Sequence, residues 1–214
     1  MKTFLKWAGG KSRTVLKLKE FMNDGDRLVE PFVGSGAVFL NTSYSSYLLC
    51  DTNVDLINLY KNLKNNSGCL ISKAESFFLP ENNLESRYYE LRDRFNFLSS
   101  EDIEKSALFI YLNKHAFNGL CRYNQSGAFN VPFGRYKQPK FPRQNMLNFS
   151  EKAKKAQFRC QDFEETFKEL KAGDVVYCDP PYVPLSATSS FTTYSKNGFD
   201  FDDQLRLVKE ALAA

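Results

Sequence analysis

The sequence contains a single histidine, His115, among 214 residues. That scarcity argues against Ser-His-Asp hydrolysis and against metallo-hydrolase chemistry, because both depend on histidine side chains at fixed places in the site. We interpret His115 as a structural polar residue. The five cysteines are widely separated and form no C-x-x-C pair, which favours reduced thiols and predicts no metal site.

Long apolar segments and a strong net charge are lacking as well. No stretch approaches the roughly 18 apolar residues that cross a membrane, and residues 1–11 contain lysines but no apolar run before a cleavage site. We therefore expect a cytoplasmic protein with no membrane partner, and we expect a monomer. The net charge of +4 is compatible with a polyanionic partner but is too small to establish one.

What the sequence does contain is an alternation of strands and helices towards both ends. Arg27–Val33 predicts a strand that runs into the turn Gly34-Ser35-Gly36 and then a helix. Tyr47–Asp51 predicts a second strand, after which apolar residues recur at helical spacing. Further strands are predicted at 157–161 and 174–178, and further helices at 12–22, 163–171 and 202–213. The predicted fold class is therefore α/β, with a doubly wound, Rossmann-like sheet.

The middle of the chain follows a different pattern. Residues 65–118 predict helices only, notably at 86–98 and 101–117, and residues 119–133 resemble a β-hairpin with its turn at Gly127. The segment Arg135–Arg143 then mixes cations with aromatic side chains. We predict three parts: residues 1–54 and 143–214 form one α/β unit, and residues 55–142 form a helical plus β-hairpin insertion.

The segment Glu30-Pro31-Phe32-Val33-Gly34-Ser35-Gly36 lies where the first strand ends. Its two glycines let a backbone turn approach a ligand closely, but such turns also occur as plain strand-to-helix connections. Asp51, at the end of the second strand, is placed to accept hydrogen bonds from ribose hydroxyls. It is equally placed to cap the helix that begins near Asn53, and one carboxylate can do both.

The tetrapeptide Asp179-Pro180-Pro181-Tyr182 follows an apolar strand. The lone pair of an aromatic amine is delocalised into its ring, so the amine is a poor nucleophile until hydrogen bonds to both N–H groups draw it towards tetrahedral geometry. The Asp179 carboxylate and the Pro180 carbonyl supply two such acceptors, and the Tyr182 ring can stack on a planar base. We predict these three residues to be catalytic, since a plain turn of this composition would be unusual.

Two further segments allow two interpretations each. Phe4–Lys11 is either a flexible start with one buried tryptophan, or a segment that holds Trp7 and Lys11 over a bound cofactor with Lys11 near a carboxylate. In the insertion, cations among aromatic rings suit DNA, because lysine and arginine hold phosphates while a planar side chain can wedge between bases. Arg122 is a candidate for reading a guanine, whereas Arg135–Arg143 can also be a solvated charged face.

Together these motifs resemble the Dam family of DNA adenine-N6 methyltransferases, and the resemblance covers nearly the whole chain. The motifs that carry it are Phe4-Leu5-Lys6-Trp7-Ala8-Gly9-Gly10-Lys11, Glu30-Pro31-Phe32-Val33-Gly34-Ser35-Gly36, Asn118-Gly119-Leu120-Cys121-Arg122-Tyr123-Asn124, Phe129-Asn130-Val131-Pro132-Phe133-Gly134-Arg135-Tyr136 and Asp179-Pro180-Pro181-Tyr182. The resemblance implies methyl transfer from S-adenosylmethionine, which leaves S-adenosylhomocysteine, to N6 of a flipped adenine within GATC in double-stranded DNA. It also implies that the insertion is a target-recognition domain.

On this basis we predict two sets of binding residues. The cofactor set is Trp7, Lys11, Phe32, Gly34, Gly36, Asp51, Asp162 and Asp179. The DNA set is Lys6, Phe117, Asn118, Leu120, Arg122, Asn124, Pro132, Tyr136 and Lys137.

The sequence departs from the family pattern at its end, because only residues 183–214 follow Tyr182. A βαβ unit takes roughly 30 residues or more, so we expect the C-terminal strands to be missing and a strand edge to be left open. Two alternatives follow: a shortened remnant that binds DNA or cofactor with little turnover, or a methyltransferase for cytosine N4, RNA adenine or glutamine. Sites of the second kind more often carry Ser or Asn where Asp179 stands.

Overall fold

Four parallel strands form the sheet at the centre of the computed structural model, which describes residues 1–181 and 199–214. The strands are β1 (Arg27–Glu30), β2 (Ser46–Asp51), β3 (Ala156–Cys160) and β4 (Asp174–Val176), in the spatial order β3-β2-β1-β4. Leu28 of β1 pairs with Tyr47 on one side and with Val175 on the other. The chain thus proceeds from β1 to β2 and β3 in one direction and then returns to the far side of β1.

Helices cover both faces of this sheet. Those within the described residues are α1 (Val15–Leu18), α2 (Ala37–Asn41), α3 (Val54–Asn65), α4 (Ser67–Ser76), α5 (Glu85–Phe97), α6 (Ile103–His115), α7 (Arg143–Ala153), α8 (Phe163–Lys168) and α9 (Phe201–Ala213). Helices α3 and α7 pack on the sheet and on each other, whereas α8 contacts β2 from the other face and packs against α9. No helix in the described ranges is long and apolar enough to cross a membrane.

Alternation of side chains along the strands explains why both faces are covered. Successive residues of a strand point to opposite faces. Leu28, Tyr47 and Leu49 belong to the main core with α3 and α7, whereas Val29 and Leu48 belong to a separate buried cluster on the other face. Strands buried on both sides are nearly continuous in apolar residues, which is the pattern that the sequence shows at β1 and β2.

Local capping fixes where several helices begin. The Asn53 side chain accepts a hydrogen bond from the Leu56 N–H at 3.0 Å and so caps α3, and Asp102 caps α6 by accepting from Glu104 N–H at 2.7 Å. Asp200 and Asp203 form a reciprocal capping box at the start of α9. Helix α6 is buried almost all round, as expected for a helix that packs against α3, α4 and α5 at once.

The predicted α/β fold with a parallel sheet is confirmed, but individual elements differ from the prediction. The single helix predicted at 12–22 is wrong: short 3₁₀ turns at Lys11–Arg13 and Lys19–Phe21 flank the four-residue α1. Only Val15 of its apolar stripe is buried, and Phe21 is 83% exposed, so core packing does not hold one continuous helix there. The first strand ends at Glu30, since Pro31 cannot donate to a strand ladder.

The hairpin predicted at 119–133 is reduced to isolated antiparallel bridges, Tyr123 with Phe129 and Ala116 with Phe133. The turn does lie at Gly127, whose N–H donates to the Asn124 carbonyl at 2.9 Å. Helices α4 to α6 precede it, and a single buried cluster extends from Phe4 to Phe158. The division at residues 54 and 142 and the missing C-terminal strands both stay predictions.

Candidate functional site

A cavity of about 570 Å³ opens at the carboxyl ends of the strands. Its position is where the strand order reverses, between β1 and β4, and open α/β sheets bind ligands at such a point. An acidic residue ends each strand or follows it within three residues, and all four of these side chains line the cavity: Glu30, Asp51, Asp162 and Asp179. The volume lies within the range of small-molecule sites.

The turn after β1 is built around Gly34. Its φ is +45°, a left-handed conformation that favours glycine. Its N–H donates to Asp51 Oδ2 at 3.1 Å, and its carbonyl accepts a hydrogen bond from the Tyr60 hydroxyl. A Cβ added at Gly34 would lie 2.9 Å from Trp7 Nε1. The indole of Trp7 therefore rests on the glycine, and both line the cavity.

We expect Gly34→Ala to destabilise the protein by about 1–3 kcal/mol, because the new side chain must adopt an unfavourable φ and displace the Trp7 ring. Affinity for a ligand in the cavity should fall with it. Thermal unfolding and ligand titration measure the two effects. Gly68→Ala is the matched control, since nothing lies within 4 Å of its Cβ and the residue is in helix α4. Equal melting temperatures for the two variants would contradict this account.

Asp51 is the last residue of β2, and its carboxylate accepts hydrogen bonds from one backbone N–H that precedes the strand and one that follows it. Oδ2 accepts from Gly34 and Oδ1 accepts from the Asn53 N–H at 3.0 Å, but the cap of α3 is Asn53 itself. Burial raises the pKa of Asp51 above its ordinary value, against the lowering effect of these backbone hydrogen bonds. The carboxylate thus ties the glycine turn to the start of α3 at the wall of the cavity.

Asp179 lies at the opposite wall, after β4. Its Oδ2 forms an ion pair with Lys11 Nζ, which also donates to the Gly9 carbonyl at 2.9 Å. The pair joins the N-terminal segment to the end of β4, and both side chains remain about one-quarter exposed to the cavity. Pro180 and Pro181 line the same wall. Tyr182, the third predicted catalytic residue, lies outside the described residues.

Asp162 and Phe32 form the side of the cavity next to α8 and α9. Asp162 caps α8 by accepting from the Glu164 N–H at 3.0 Å, and its Oδ1 lies 3.3 Å from Arg206 Nη2 on α9. The Phe32 ring packs at 5.7 Å from Phe163 and at 5.8 Å from Phe199, measured between centroids. This side therefore offers both an aromatic surface and a carboxylate.

The structure brings seven of the eight predicted cofactor residues around one cavity: Trp7, Lys11, Phe32, Gly34, Asp51, Asp162 and Asp179. Gly36 does not line it. Gly36 is the N-cap residue of α2 and has a φ of +69°, and a Cβ there would lie 3.2 Å from the Phe149 ring. The second glycine of the motif thus serves helix packing in the arrangement seen here.

A second cleft, of about 720 Å³, adjoins the first and shares residues 7–11 with it. Lys6 and Asn118, both predicted DNA contacts, line this cleft. Asn113 of α6 holds the two sides together: its Oδ1 accepts from Lys6 N–H at 2.8 Å, and its Nδ2 donates to the Lys6 carbonyl at 2.7 Å and to the Gly119 carbonyl at 3.3 Å. The N-terminal segment and the turn at 117–119 are thereby tied to one side chain.

Four other predicted DNA residues, Phe117, Leu120, Pro132 and Tyr136, lie in that turn or next to it. The Phe117 N–H donates to the Pro132 carbonyl at 2.9 Å, the Phe117 ring is 51% exposed, and Leu120 is half-buried below it. Asn118 has φ +53°, outside the helical region. The Tyr136 ring lies 4.1 Å from Lys6 Nζ. An exposed aromatic ring, an amide and a lysine therefore share one surface beside the cavity.

The remaining predicted DNA residues lie along the chain from this surface. Arg122 Nε donates to Asn130 Oδ1 at 2.8 Å, and the Asn124 side chain accepts from the Ala128 N–H at 2.9 Å within its own turn. Lys137 is exposed, and its carbonyl accepts from Asn83 Nδ2 at 3.0 Å.

No described residue group of three or more His, Cys, Asp or Glu is arranged to hold a metal ion.

His115 has the structural role that its sequence context suggests. It is buried, its Nδ1 lies 2.8 Å from the Tyr111 carbonyl, and its ring stacks on Tyr111. Burial lowers the pKa of His115 to about 4, so the ring is neutral at pH 7. The His115 carbonyl accepts from the Gly134 N–H at 2.8 Å, which fixes the chain after the turn.

Three residues of the site were not singled out from the sequence. Glu30 ends β1 as Asp51 ends β2, so the same signal, an acidic residue that closes an apolar strand, marks it. Arg206 reaches Asp162 and Glu164 from another helix, and Asn113 reaches Lys6 across more than a hundred residues of sequence. No local pattern marks either of these two.

Comparisons of the sequence with known proteins agree with one another. Residues 7–212 match the profile of a family described as D12 class N6 adenine-specific DNA methyltransferase. The chain is 50% identical over 207 residues to the DNA adenine methylase of Vibrio cholerae, which covers 97% of the chain and 74% of that relative. It is 50% identical to the enzyme of the same name from Serratia marcescens, and 47% identical over 210 residues to that of Escherichia coli K12, with 75% of the latter covered.

Proposed function

The chain belongs to the D12 class of N6 adenine-specific DNA methyltransferases, and from that premise we propose that it transfers a methyl group from S-adenosylmethionine to N6 of adenine within GATC in double-stranded DNA. The observation that carries the proposal is the meeting of Asp179, Gly34 and Asp51 around one cavity at the switch point of the sheet. GATC is the target that the sequence motifs of the Dam family imply.

The cavity fits a nucleoside with an amino-acid tail. The missing side chain at Gly34 lets the Trp7 indole lie against the turn at the wall of the cavity, and Asp51 beside it suits ribose hydroxyls. The Phe32 ring suits a flat base, with the Asp162 carboxylate near it to accept from an amino group. Lys11, next to Asp179, is a cation that can bind the carboxylate of the amino-acid tail.

Bound S-adenosylmethionine supplies an electrophilic methyl group, whose bond to sulfur breaks with the electron pair left on sulfur. The residues of the chain prepare the other reactant. Asp179 and the Pro180 carbonyl accept hydrogen bonds from the adenine amino group, which localises its lone pair for in-line attack. No strong base is required, since the amine becomes acidic once methylated and its extra proton passes to solvent.

The adenine must leave the duplex to reach Asp179, at a cost of a few kcal/mol. The surface that carries Lys6, Phe117 and Asn118 lies directly beside the cavity, and there an exposed aromatic ring can fill the gap that the extruded base leaves. Lys6 and Lys137 then hold phosphates, and Arg122 reads a guanine edge.

The test is incubation of the protein with S-adenosylmethionine labelled in the methyl group and with duplexes that contain GATC or a scrambled site. We expect label in N6-methyladenine of the GATC duplex only. Label in cytosine, in RNA or in protein would favour the other amino methyltransferases, and tight binding of DNA without label would favour a remnant that only binds. A cytoplasmic location and a monomeric state stay predictions, and size-exclusion chromatography tests the second.

A further inference from the structure

Glu30 is a fourth carboxyl group at the carboxyl edge of the sheet, and the mechanism above does not use it. It ends β1, only 2% of its surface is exposed, and it lines the cavity with Asp51 and Asp179. Its Oε1 is fully buried and has no hydrogen-bond partner among the described residues. A buried carboxylate oxygen without a hydrogen-bond partner disfavours the charged form, which a further cation in the cavity would therefore stabilise.

The groups that face Glu30 come from four elements. The Phe39 N–H of α2 and the ammonium group of Lys152 on α7 favour its charged form, whereas Asp179, after β4, disfavours it. Tyr60 of α3 also lies within its electrostatic reach. Burial outweighs the two favourable contacts and raises the pKa of Glu30 to about 8. Lys152 is a weak partner, because it donates to the Thr42 carbonyl and burial lowers its own pKa to about 8.

We propose that Glu30 is the residue by which the site distinguishes the methyl donor from the spent product: its carboxyl group ionises when a sulfonium cation enters the cavity and stays protonated when a neutral thioether does. This inference rests on the proposed function, since it takes S-adenosylmethionine as the donor. The two ligands differ by one methyl group and one positive charge, and a contact with the methyl group alone discriminates by about 10–200-fold, independently of pH.

The dependence on pH follows from the two protonation states. Below pH 8 the empty site holds a proton on Glu30, so binding of the cation must release it, and affinity for the donor falls as the pH falls. Above pH 8 the carboxylate is already charged and the preference for the donor is complete. The ratio of donor affinity to product affinity therefore rises with pH and levels off near pH 8. The total rise is about tenfold for each unit by which the bound cation lowers the pKa of Glu30.

Isothermal titration of the whole chain with S-adenosylmethionine and with S-adenosylhomocysteine, without DNA, tests this between pH 6 and 9. In the native protein the ratio of affinities should rise about tenfold across this range, and buffers of different ionisation heat should show more protons released by the donor. In Glu30→Gln, which keeps the shape but cannot ionise, the ratio should be much flatter. Glu101→Gln, an exposed site on the chain, is the matched control. The amino group of each ligand titrates near pH 8, and comparison with the variant removes its contribution.

The outcomes are distinct. If native protein and Glu30→Gln show the same pH dependence of the ratio, the assignment of Glu30 is wrong while the proposed function stands. If neither ligand binds the native protein, both are wrong. Should Glu30→Gln fail to fold, proton release by native protein decides alone: equal release with donor and product overturns the proposal, and an excess with the donor supports it.

Discussion

Replacement of Asp179 by alanine should lower the rate constant for methylation at saturating S-adenosylmethionine by about 10²–10³-fold, the usual cost of one lost hydrogen-bond partner of a transition state. In the proposed mechanism the carboxylate is one of two acceptors that localise the lone pair of the target amine, and the Pro180 carbonyl alone cannot orient both N–H groups. Single-turnover transfer of labelled methyl to a GATC duplex measures the effect, and separate titration of cofactor and DNA keeps binding apart from chemistry.

The control for this experiment is Glu151→Ala. Glu151 of α7 and Lys154, which follows that helix, form an exposed ion pair, and Asp179 and Lys11 form one at the cavity, so both variants remove a carboxylate and leave a lysine. We expect native rates for Glu151→Ala. If Asp179→Ala kept more than about a tenth of the native single-turnover rate, the carboxylate would not be part of the reacting arrangement, and the mechanism given above would have to be abandoned.

Arg122→Ala should reduce kcat/KM for GATC by about 10–100-fold and relax the preference at one base pair, because a bidentate contact to a base contributes about 1–3 kcal/mol of discrimination. The geometry suits such a contact. Arg122 Nε donates to Asn130 Oδ1 and Nη2 approaches the Asn130 carbonyl at 3.4 Å, which fixes the plane of the guanidinium group. Within the described residues Nη1 makes no hydrogen bond and Nη2 uses only one of its two N–H groups, so N–H groups of a fork that is already oriented remain available to a base.

Competition between GATC and the sites that differ from it at one position measures this effect. Arg143→Ala serves as the control, since Arg143 is a half-exposed arginine that pairs with Glu75 and is not among the predicted DNA contacts. We expect no change in preference there. A loss of activity in Arg122→Ala that is uniform across all sites would instead identify a phosphate contact.

Strand-end motifs were the part of the site that local sequence could predict. Gly34, Asp51 and Asp179 each follow or end an apolar strand, and parallel strands bring such residues to one edge whatever their distance in sequence. The prediction of Trp7 and Lys11 as cofactor residues depended on the family resemblance, because the local sequence of Phe4–Lys11 does not indicate which strand ends the segment contacts. Arg206 needed the fold itself, since its partners Asp162 and Glu164 lie on another helix.

Helix boundaries were predicted where an apolar face meets the core and missed elsewhere. The predicted helix at 86–98 is confirmed as α5, whose Tyr88, Leu91 and Phe95 are all buried. Helix α7 was missed: its sequence starts after Pro142 with polar residues, and its role becomes clear only when Phe149 meets Phe4, Phe39 and Tyr60. Aromatic clustering of this kind is set by tertiary structure and is invisible in a local window.

The three hydrogen bonds of Asn113 make the two clefts a single mechanical unit. Two of them bind Lys6 and the third binds the Gly119 carbonyl, and Trp7, which lies on the glycine turn, is the next residue after Lys6 along the backbone. Under the proposed function the turn at 117–119 meets the duplex and the Trp7 ring borders the bound cofactor, so the Asn113 amide physically connects target recognition with cofactor binding.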